Sequence, residues 1–317
     1  MNYYPVLIPT LNRYEHFRRC VESLSRCTHA EETELVIGLD YPPSEKYREG
    51  YEKIKAYIPQ ITGFKKVTCI KREYNYGAVN NSTDLTSRYF KINDAIIYSE
   101  DDNEFAPCFL DFMDKALDMY KDEPKVRSVC GYLQESFYRN TPLSTIFICG
   151  TCAWGIGLWK DKKKDDEQFP YSYYENVLCS FKLSMKIFFQ YPQLLGMLQS
   201  MVTRKLIWGD VMRSTYNILN NVYQIRPSVS LVRNWGQDGS GIHCVNNKQL
   251  AEKYAHQPIV ELEYYPIEPQ NVKKTKGLSI GLFGGKNDNS LIALKRITGI
   301  FLRYLKFRFC MYQQRGI

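Results

Sequence analysis

The sequence has 317 residues, of which 44% are hydrophobic and 24% charged, values typical of a folded protein and not of a disordered chain. The net charge of +8 is concentrated at one end, because residues 273–317 hold ten Lys and Arg and a single acid, Asp288. The rest of the chain is close to neutral. A nucleic-acid-binding protein spreads its positive charge over a folded face, so we expect no nucleic-acid partner.

Strands and helices alternate in the first hundred residues. The hydrophobic patterns predict strands at 5–13, 34–40, 66–72 and 95–99, and helices at 14–27, 47–58 and 75–90. This alternation is typical of βαβ crossovers over a parallel sheet, and it predicts an α/β fold.

The predicted elements are less regular after the fourth strand. We predict a helix at 108–123, a strand at 128–136, an uncharged loop-and-strand stretch at 141–159, a charged surface loop at 160–169, helices over 173–206 broken at Pro192, a helix at 208–221, and a strand with a glycine-rich loop over 223–244. Residues 291–312 form a last predicted helix. Its bases, Lys295, Arg296, Arg303 and Lys306, lie on one arc, opposite Leu294, Ile297, Ile300, Phe301, Tyr304 and Leu305.

A basic helix of this kind either lies on an anionic membrane surface or docks on its own domain, and the sequence leaves both open.

Ten cysteines lie at irregular intervals. Cys149 and Cys152 form a C-x-x-C motif without a second pair for zinc, so we interpret the cysteines as structural thiols. The first residues, MNYYPVLIP, lack the apolar run of a secretory signal. We therefore expect the protein in the reducing cytoplasm.

Polar residues follow each of the four predicted strands. They are Asn12 and Arg13, Asp40, Arg72, and the consecutive acids Glu100, Asp101 and Asp102. Ligands of parallel sheets bind beyond the carboxyl ends of the strands. A carboxylate cluster there is a candidate site for Mg²⁺ or Mn²⁺, which take one or two carboxylates and complete their coordination with phosphate oxygens and water. The alternative is a solvated acidic turn.

Four stretches, in order, carry a resemblance to a known family: PVLIPTLNRYEHFRRCVESL, IIYSEDDNEFAPCFLDFM, CAWGIGLWKD and WGDVMR…IRPSVSLVRNWGQDGSGIH. Over residues 3–244 the chain resembles nucleotide-sugar glycosyltransferases of the GT-A fold. It looks most like inverting enzymes related to N-acetylglucosaminyltransferase I and bacterial family 2-type enzymes that build capsule, lipopolysaccharide or exopolysaccharide. The chain departs from the eukaryotic pattern at Gly209, where those enzymes carry a second acid.

The resemblance implies a GT-A domain over residues 1–270, with a nucleotide-sugar half at 1–103 and an acceptor half at 104–270, followed by a basic tail at 271–317. It implies a UDP-sugar donor, UDP-GlcNAc-like, and a glycan or lipid-linked glycan acceptor. The implied site has Asp102 and His243 as metal ligands, Asp101 near the ribose, Glu100 near the donor sugar, Asp40 at the uracil with Thr10, Asn12 and Arg13 nearby, Arg72 in the donor site, and Asp210 as catalytic base.

The chemistry of sugar transfer explains why these residue types would be needed. Negative charge grows on the departing diphosphate, and a bound Mn²⁺ or Mg²⁺ would neutralise it. A carboxylate such as Asp210 would accept the proton of the attacking hydroxyl, and attack from the opposite face gives inversion. Trp154 or Trp208 would pack on an acceptor sugar, although buried tryptophans serve in core packing more often than not. Gly236, Gly239 and Gly241 would form a flexible lid.

Three alternatives stay open. A sugar-nucleotide pyrophosphorylase would need a glycine-rich phosphate loop after the first strand, and PTLNRYEHF contains no glycine. A retaining transferase would differ in the stereochemistry of its product. A glycan-binding module without turnover would need neither Asp102 nor Asp210.

Overall fold

The computed structural model describes residues 1–135, 138, 143–163, 169–241, 248–273 and 290–315. The strands are β1 Val6–Thr10, β2 Glu34–Leu39, β3 Lys66–Lys71, β4 Ala95–Tyr98, β5 Asn103–Phe105, β6 Val126–Cys130, β7 Thr145–Ile148, β8 Ile156–Trp159, β9 Tyr223–Pro227 and β10 Val232–Asn234. The helices are α1 Tyr14–Ser25, α2 Arg48–Tyr57, α3 Gly77–Tyr89, α4 Phe109–Met119, α5 Lys160–Lys163, α6 Tyr171–Cys179, α7 Phe181–Gln190, α8 Pro192–Arg204, α9 Gly209–Asn220, α10 Lys248–Ala255 and α11 Ser290–Arg315.

Eight strands form one mixed, mainly parallel sheet in the order β3-β2-β1-β4-β8-β6-β9-β7. The first four strands are parallel to one another, and β6 is parallel to β9. Strand β8 runs antiparallel to β4 and β6, and β7 runs antiparallel to β9. A separate two-stranded ribbon pairs β5 with β10 in antiparallel fashion. The predicted fold class, an α/β sheet flanked by helices with a C-terminal helix, is confirmed.

The first half of the sheet forms where the sequence predicts it, because its strands are short runs of branched apolar residues. In β1, Val6, Leu7 and Ile8 are fully buried, as expected for a strand covered on both faces. Helix α1 covers one face with Phe17 and Leu24, which lie on its predicted apolar stripe. Because the buried part of each strand ends where its polar residues begin, these polar residues lie at the edge of the sheet.

The predicted surface loop at 160–169 is wrong in its first residues, since Lys160–Lys163 is one helical turn. Lys162 is only 7% exposed, and its ammonium donates to the carbonyl oxygens of Tyr120 and Glu123 at 2.8 and 3.0 Å. It also lies 3.9 Å from the ring centre of Trp159. Carbonyl acceptors and an aromatic face allow a charged residue to be buried, which a charge count along the sequence does not reveal.

The helices α6 to α9 and α11 share a second apolar cluster beside the sheet. The predicted break at Pro192 is confirmed: Pro192 begins α8, a position where its missing N–H costs nothing. Helix α11 docks on this cluster through Ile300 and Tyr304, and the Tyr304 hydroxyl donates to the carbonyl oxygen of Leu178 at 3.2 Å. The docked alternative for the C-terminal helix is thus confirmed for this face of α11. Within the described ranges, no helix combines the length and apolarity that a membrane crossing needs.

Candidate active site

The ends of β1 and β4 lie side by side because the two strands are parallel neighbours, with Val6 opposite Ile97 and Leu7 opposite Tyr98. This pairing brings the loop after β1 to the acidic triplet after β4. The Thr10 hydroxyl donates to a carboxylate oxygen of Asp101 at 2.7 Å. The expected meeting of strand ends therefore takes place, between residues 91 positions apart.

The guanidinium of Arg13 lies between Asp101 and Asp102 and forms ion pairs with both carboxylates, the one to Asp102 at 2.7 Å. Burial disfavours the charge on Arg13, but Asp101 and Asp102 raise the pKa of the guanidinium above its ordinary value. Asp101 and Asp102 are 4% and 5% exposed. Two buried carboxylates need a cation, and in this structure the cation is Arg13.

Asp102 is also enclosed by the β10 strand and the residues after it. Asn234 donates to the second carboxylate oxygen at 2.8 Å, and the backbone N–H of Trp235 donates to the Asp102 carbonyl at 2.9 Å. Gly236 packs against the same carboxylate so closely that a Cβ there would overlap it. Only glycine fits this position. The first residue of the predicted flexible loop is therefore held against Asp102.

The implied metal site does not fit the side chains as they are arranged. All four carboxylate oxygens of Asp101 and Asp102 accept hydrogen bonds from Thr10, Arg13 or Asn234. No three His, Cys, Asp or Glu side chains of the described ranges lie together as metal ligands would. His243, the second implied ligand, lies outside the described residues. A metal at Asp102 would require Arg13 to leave.

Glu100 and Asp210 form a second acidic pair, which is close enough for their charges to interact. Burial, reinforced by Asp102 and Asp210, raises the pKa of Glu100 to about 8, which favours its protonated form at neutral pH. Burial also raises the pKa of Asp210, and Arg213 and Arg226 partly offset the rise. A carboxylate with a raised pKa is a better proton acceptor than an ordinary surface aspartate.

Asp210 is positioned by the start of α9, where it is the second helical residue after the β-region residue Trp208. Its neighbours Arg213 and Arg226 were not predicted as site residues. Arg213 follows one helical turn after Asp210 within WGDVMR, so the motif itself contained the signal. Arg226 is 7% exposed in β9, where it donates to Gln224 and to the Gly150 carbonyl. Its approach to Asp210 depends on sheet order and could not be found from spacing.

The structure places Asp40 and Arg72 in supporting networks. Asp40 accepts from the backbone N–H groups of Tyr41 and Tyr76 and so fixes the turn before α3. Arg72 is 4% exposed and binds the Asn81 side chain and Asp84, at 2.9 and 2.5 Å. These contacts attach α3 to the strand ends of β2 and β3. The contacts of Asp40 and Arg72 with a nucleotide remain predictions.

Asn12 lies in the loop between β1 and α1, where its carbonyl packs directly on Gly50 of α2. A Cβ at Gly50 would overlap that oxygen, so glycine lets α2 approach and hold the loop. Asn12 is half-buried beside Arg13 in sequence. The loop thus presents Asn12 and Arg13 in a defined position at the sheet edge.

The predicted acceptor residues lie in different surroundings. Trp154 is half-buried and contacts the rings of Tyr132 and Tyr254 edge-on, with centroids 4.6 and 5.3 Å away. Trp208 is half-buried against the helical cluster at the start of α9, two residues from Asp210. Trp208 is therefore the nearer of the two to Asp210 along the chain, and Trp154 belongs to an aromatic group with Tyr132 and Tyr254.

The glycine-rich loop is held to α1. His16 contacts Asp238 at 2.9 Å and Ser240 at 3.4 Å, and the Arg19 guanidinium stacks 4.0 Å from the ring centre of Trp235. These contacts hold residues 235–240 to α1, and Trp235 and Gly236 lie against Asp102 after β4. The role of this loop as a lid remains a prediction.

The sequence matches no protein-family model, and no curated protein matches it. Solved structures do match over part of the chain. They include the mannosyltransferase PcManGT from Pyrobaculum calidifontis in complex with GDP-Man and Mn²⁺, with 10% identity, a TM-score of 0.37 and coverage of 56% of this chain and 52% of that one. S. aureus TarS gives 12% identity, a TM-score of 0.37 and coverage of 53% and 30%.

Mouse xyloside xylosyltransferase 1, in its apo form, gives 11% identity, a TM-score of 0.39 and coverage of 70% of this chain and 83% of that one. The chain thus spans about half of the mannosyltransferase and under a third of TarS. With TM-scores below 0.4, the assignment of an activity depends on the side chains of the site itself.

Proposed function

We propose that the protein is an inverting glycosyltransferase of the GT-A type. Its donor is a UDP-sugar, UDP-GlcNAc-like, and its acceptor is a glycan or lipid-linked glycan of a bacterial capsule, lipopolysaccharide or exopolysaccharide. The proposed location is the cytoplasm, at the inner face of the cell membrane. The four sequence stretches that resemble this family support the proposal, together with the side chains at the ends of β1 and β4 and at the start of α9.

The observation that carries the proposal is the pairing of Asp210 with Glu100. Asp210 has a raised pKa and is partly open to solvent, as a base for an acceptor hydroxyl must be. The raised pKa of Glu100, about 8, favours its protonated form at neutral pH, in which it can donate a hydrogen bond to a sugar hydroxyl. Two neighbouring carboxyl groups in different protonation states can serve two separate roles in one reaction.

A positive group is needed on the side of the departing diphosphate. A guanidinium matches phosphate oxygens in a bidentate geometry, and Arg13 already lies at the strand ends where a nucleotide would bind. Its two ion pairs hold it in place before a donor arrives. We propose that Arg13 orients the diphosphate while Asp210 removes the acceptor proton on the opposite side of the sugar.

In this proposal Mn²⁺ or Mg²⁺ could bind at Asp102 only if Arg13 moved away from it. If Arg13 turned from Asp102 to a bound diphosphate, the freed carboxylate would be a suitable hard-cation ligand beside phosphate oxygens. The cation would then supply further positive charge for the leaving group.

A ligand screen followed by product analysis tests the proposed function. UDP-sugars, GDP-sugars and unrelated nucleotides are compared by thermal shift with and without Mn²⁺, and the best donor is incubated with glycan acceptors. We expect a UDP-sugar to raise the melting temperature and the product to have inverted anomeric configuration by proton NMR. A retained configuration would support the retaining alternative. Release of a nucleoside triphosphate from UDP-sugar and diphosphate would support a pyrophosphorylase, and glycan binding without any turnover would support a binding module.

A further inference from the structure

Helix α11 has two apolar faces, and only one of them is covered by the protein. Ile300 and Tyr304 are buried against the helical cluster. Leu294, Leu302, Leu305 and Phe309 are exposed by 60%, 59%, 39% and 63%. At roughly 100° per residue these four side chains lie in one stripe on the side of the helix away from Ile300. Leu294 and Leu305 belong to the apolar face that the sequence predicts, whereas Leu302 and Phe309 lie outside it.

Basic residues border the exposed stripe on one side. Lys295, Arg303 and Lys306 are exposed, and the same spacing places them next to Leu302 and Phe309 on the helix surface. A surface stripe of large apolar residues flanked by Lys and Arg is the arrangement of helices that lie in the plane of an anionic membrane interface. A helix that only docks on its own domain has no need of such a stripe.

Helix α7 extends the apolar surface on the other side of the stripe. Phe181 and Phe189 are 49% and 72% exposed. They border an open apolar groove of about 370 Å³ between α7 and α11, whose α11 wall includes Ile297 and Phe301. Phe181 is joined to α11 directly, because the Arg308 guanidinium lies 5.3 Å from its ring centre. The exposed aromatic side chains and the leucine stripe therefore form one surface across two helices.

We propose that the α7–α11 surface, formed by Phe181, Phe189, Leu294, Leu302, Leu305 and Phe309 with the bases Lys295, Arg303 and Lys306, docks on an anionic lipid bilayer. The apolar side chains enter the interface, and the bases contact the lipid phosphates. Charge complementarity selects a bilayer over a second copy of this chain, because two copies would bring identical basic rows together. This inference refines the location proposed above and does not depend on the transfer reaction.

Vesicle sedimentation tests the proposal directly and needs no sugar donor. The purified full chain is mixed with vesicles of phosphatidylcholine alone or with one third phosphatidylglycerol. We expect binding to the anionic vesicles and at least tenfold weaker binding to the neutral ones. The double variant Leu302→Glu and Phe309→Glu should lose at least tenfold in binding to anionic vesicles. Lys295→Glu with Arg303→Glu should abolish the preference for anionic lipid.

Ile92→Glu is the matched control, because Ile92 is 76% exposed and lies outside the α7–α11 surface. It should bind vesicles like the wild type. Circular dichroism melting of each variant confirms that it is folded, and light scattering gives its mass. Equal vesicle binding by all variants would overturn the proposal. So would a dimer that the Leu302→Glu and Phe309→Glu variant dissociates while no variant binds vesicles. Failure of the donor screen would leave this result unaffected.

Discussion

The two acidic groups at the sheet edge differ in how their charges are compensated. Asp101 and Asp102 are fully paired, with Arg13 between them and Thr10 and Asn234 on the remaining oxygens. Burial raises the pKa values of both Glu100 and Asp210, and within the described residues no hydrogen bond reaches either carboxylate. The first group is a prearranged, satisfied structure. The second retains unused capacity for protons and hydrogen bonds, which is what a reacting group requires.

The largest effect is expected from Asp210→Asn, which removes the proton acceptor and keeps the shape. Loss of a general base typically costs about 100- to 10,000-fold in rate, so kcat should fall by that factor. Donor binding, measured by calorimetry, should stay within about twofold of wild type, because the role proposed for Asp210 concerns the acceptor hydroxyl. Asp122→Asn, at an exposed acid, is the control and should leave kcat unchanged. A near-native kcat for Asp210→Asn would show that the base is another group.

The second largest effect is expected from substitution of Gly236, which should lower the free energy of unfolding by disturbing the paired carboxylate of Asp102. In Gly236→Ala the new Cβ overlaps the Asp102 carboxylate, and overpacking of this kind costs about 1–3 kcal/mol. Urea unfolding measures the loss. Gly196→Ala in α8 is the matched control, since its Cβ would meet only ordinary contacts with Ile300, and it should be neutral or stabilising by about 0.5–1 kcal/mol. Equal stability of the two variants would mean that the enclosure of Asp102 is loose.

Asp114 is a buried carboxyl with a raised pKa that lies outside the candidate site, so it separates the effect of burial from that of the site. It is fully buried in α4, accepts from the Tyr4 backbone at 3.1 Å, and burial raises its pKa to about 8. The folded state therefore holds this proton at higher pH than the unfolded state does. Its contribution to stability falls as pH rises from about 4 to 8 and then levels off.

Asp114→Asn should remove that part of the pH dependence, with a gain over wild type on the order of 1–3 kcal/mol at pH 9 and little difference at pH 4. Melting temperatures of both proteins across pH 4–9 give the comparison. Turnover should not change. A parallel pH dependence in the two proteins would contradict the assignment of the raised pKa to Asp114.

The smallest expected effect is a change in Mn²⁺ affinity in the Arg13→Gln variant. Removing the guanidinium leaves Asp101 and Asp102 uncompensated, so Mn²⁺ should bind about tenfold more tightly than in wild type. Electron paramagnetic resonance of free Mn²⁺ measures the affinity without any turnover. Arg13→Lys keeps the charge and should resemble wild type. If Arg13→Gln binds Mn²⁺ no better than wild type, Arg13 does not occupy the place of a metal.

The sequence predicts the strands that carry the site better than the side-chain contacts within it. The four strands and the polar residues after them follow from local hydrophobic pattern, which is why Asn12, Arg13 and the acidic triplet were expected at one edge. The pairing of Arg13 with Asp101 and Asp102 could not be predicted, because it joins residues 88 positions apart through side-chain geometry. The structural roles of Asp40 and Arg72 depend likewise on the loop before α3.

The C-terminal helix shows the same limit. Periodicity correctly separates the basic arc from Ile300 and Tyr304, but it cannot divide apolar residues into those that a domain covers and those left exposed. That division depends on the position of α8, where Gly196 and Gln199 approach α11. Leu302 and Phe309 stand out only once the docked face is known.

A crystal structure with UDP and a non-transferable UDP-sugar analogue tests the proposed site most directly. We expect the diphosphate beside Arg13 at the ends of β1 and β4, with the sugar between Glu100 and Asp210. A nucleotide bound elsewhere on the sheet edge, or a sugar held away from Asp210, would contradict it.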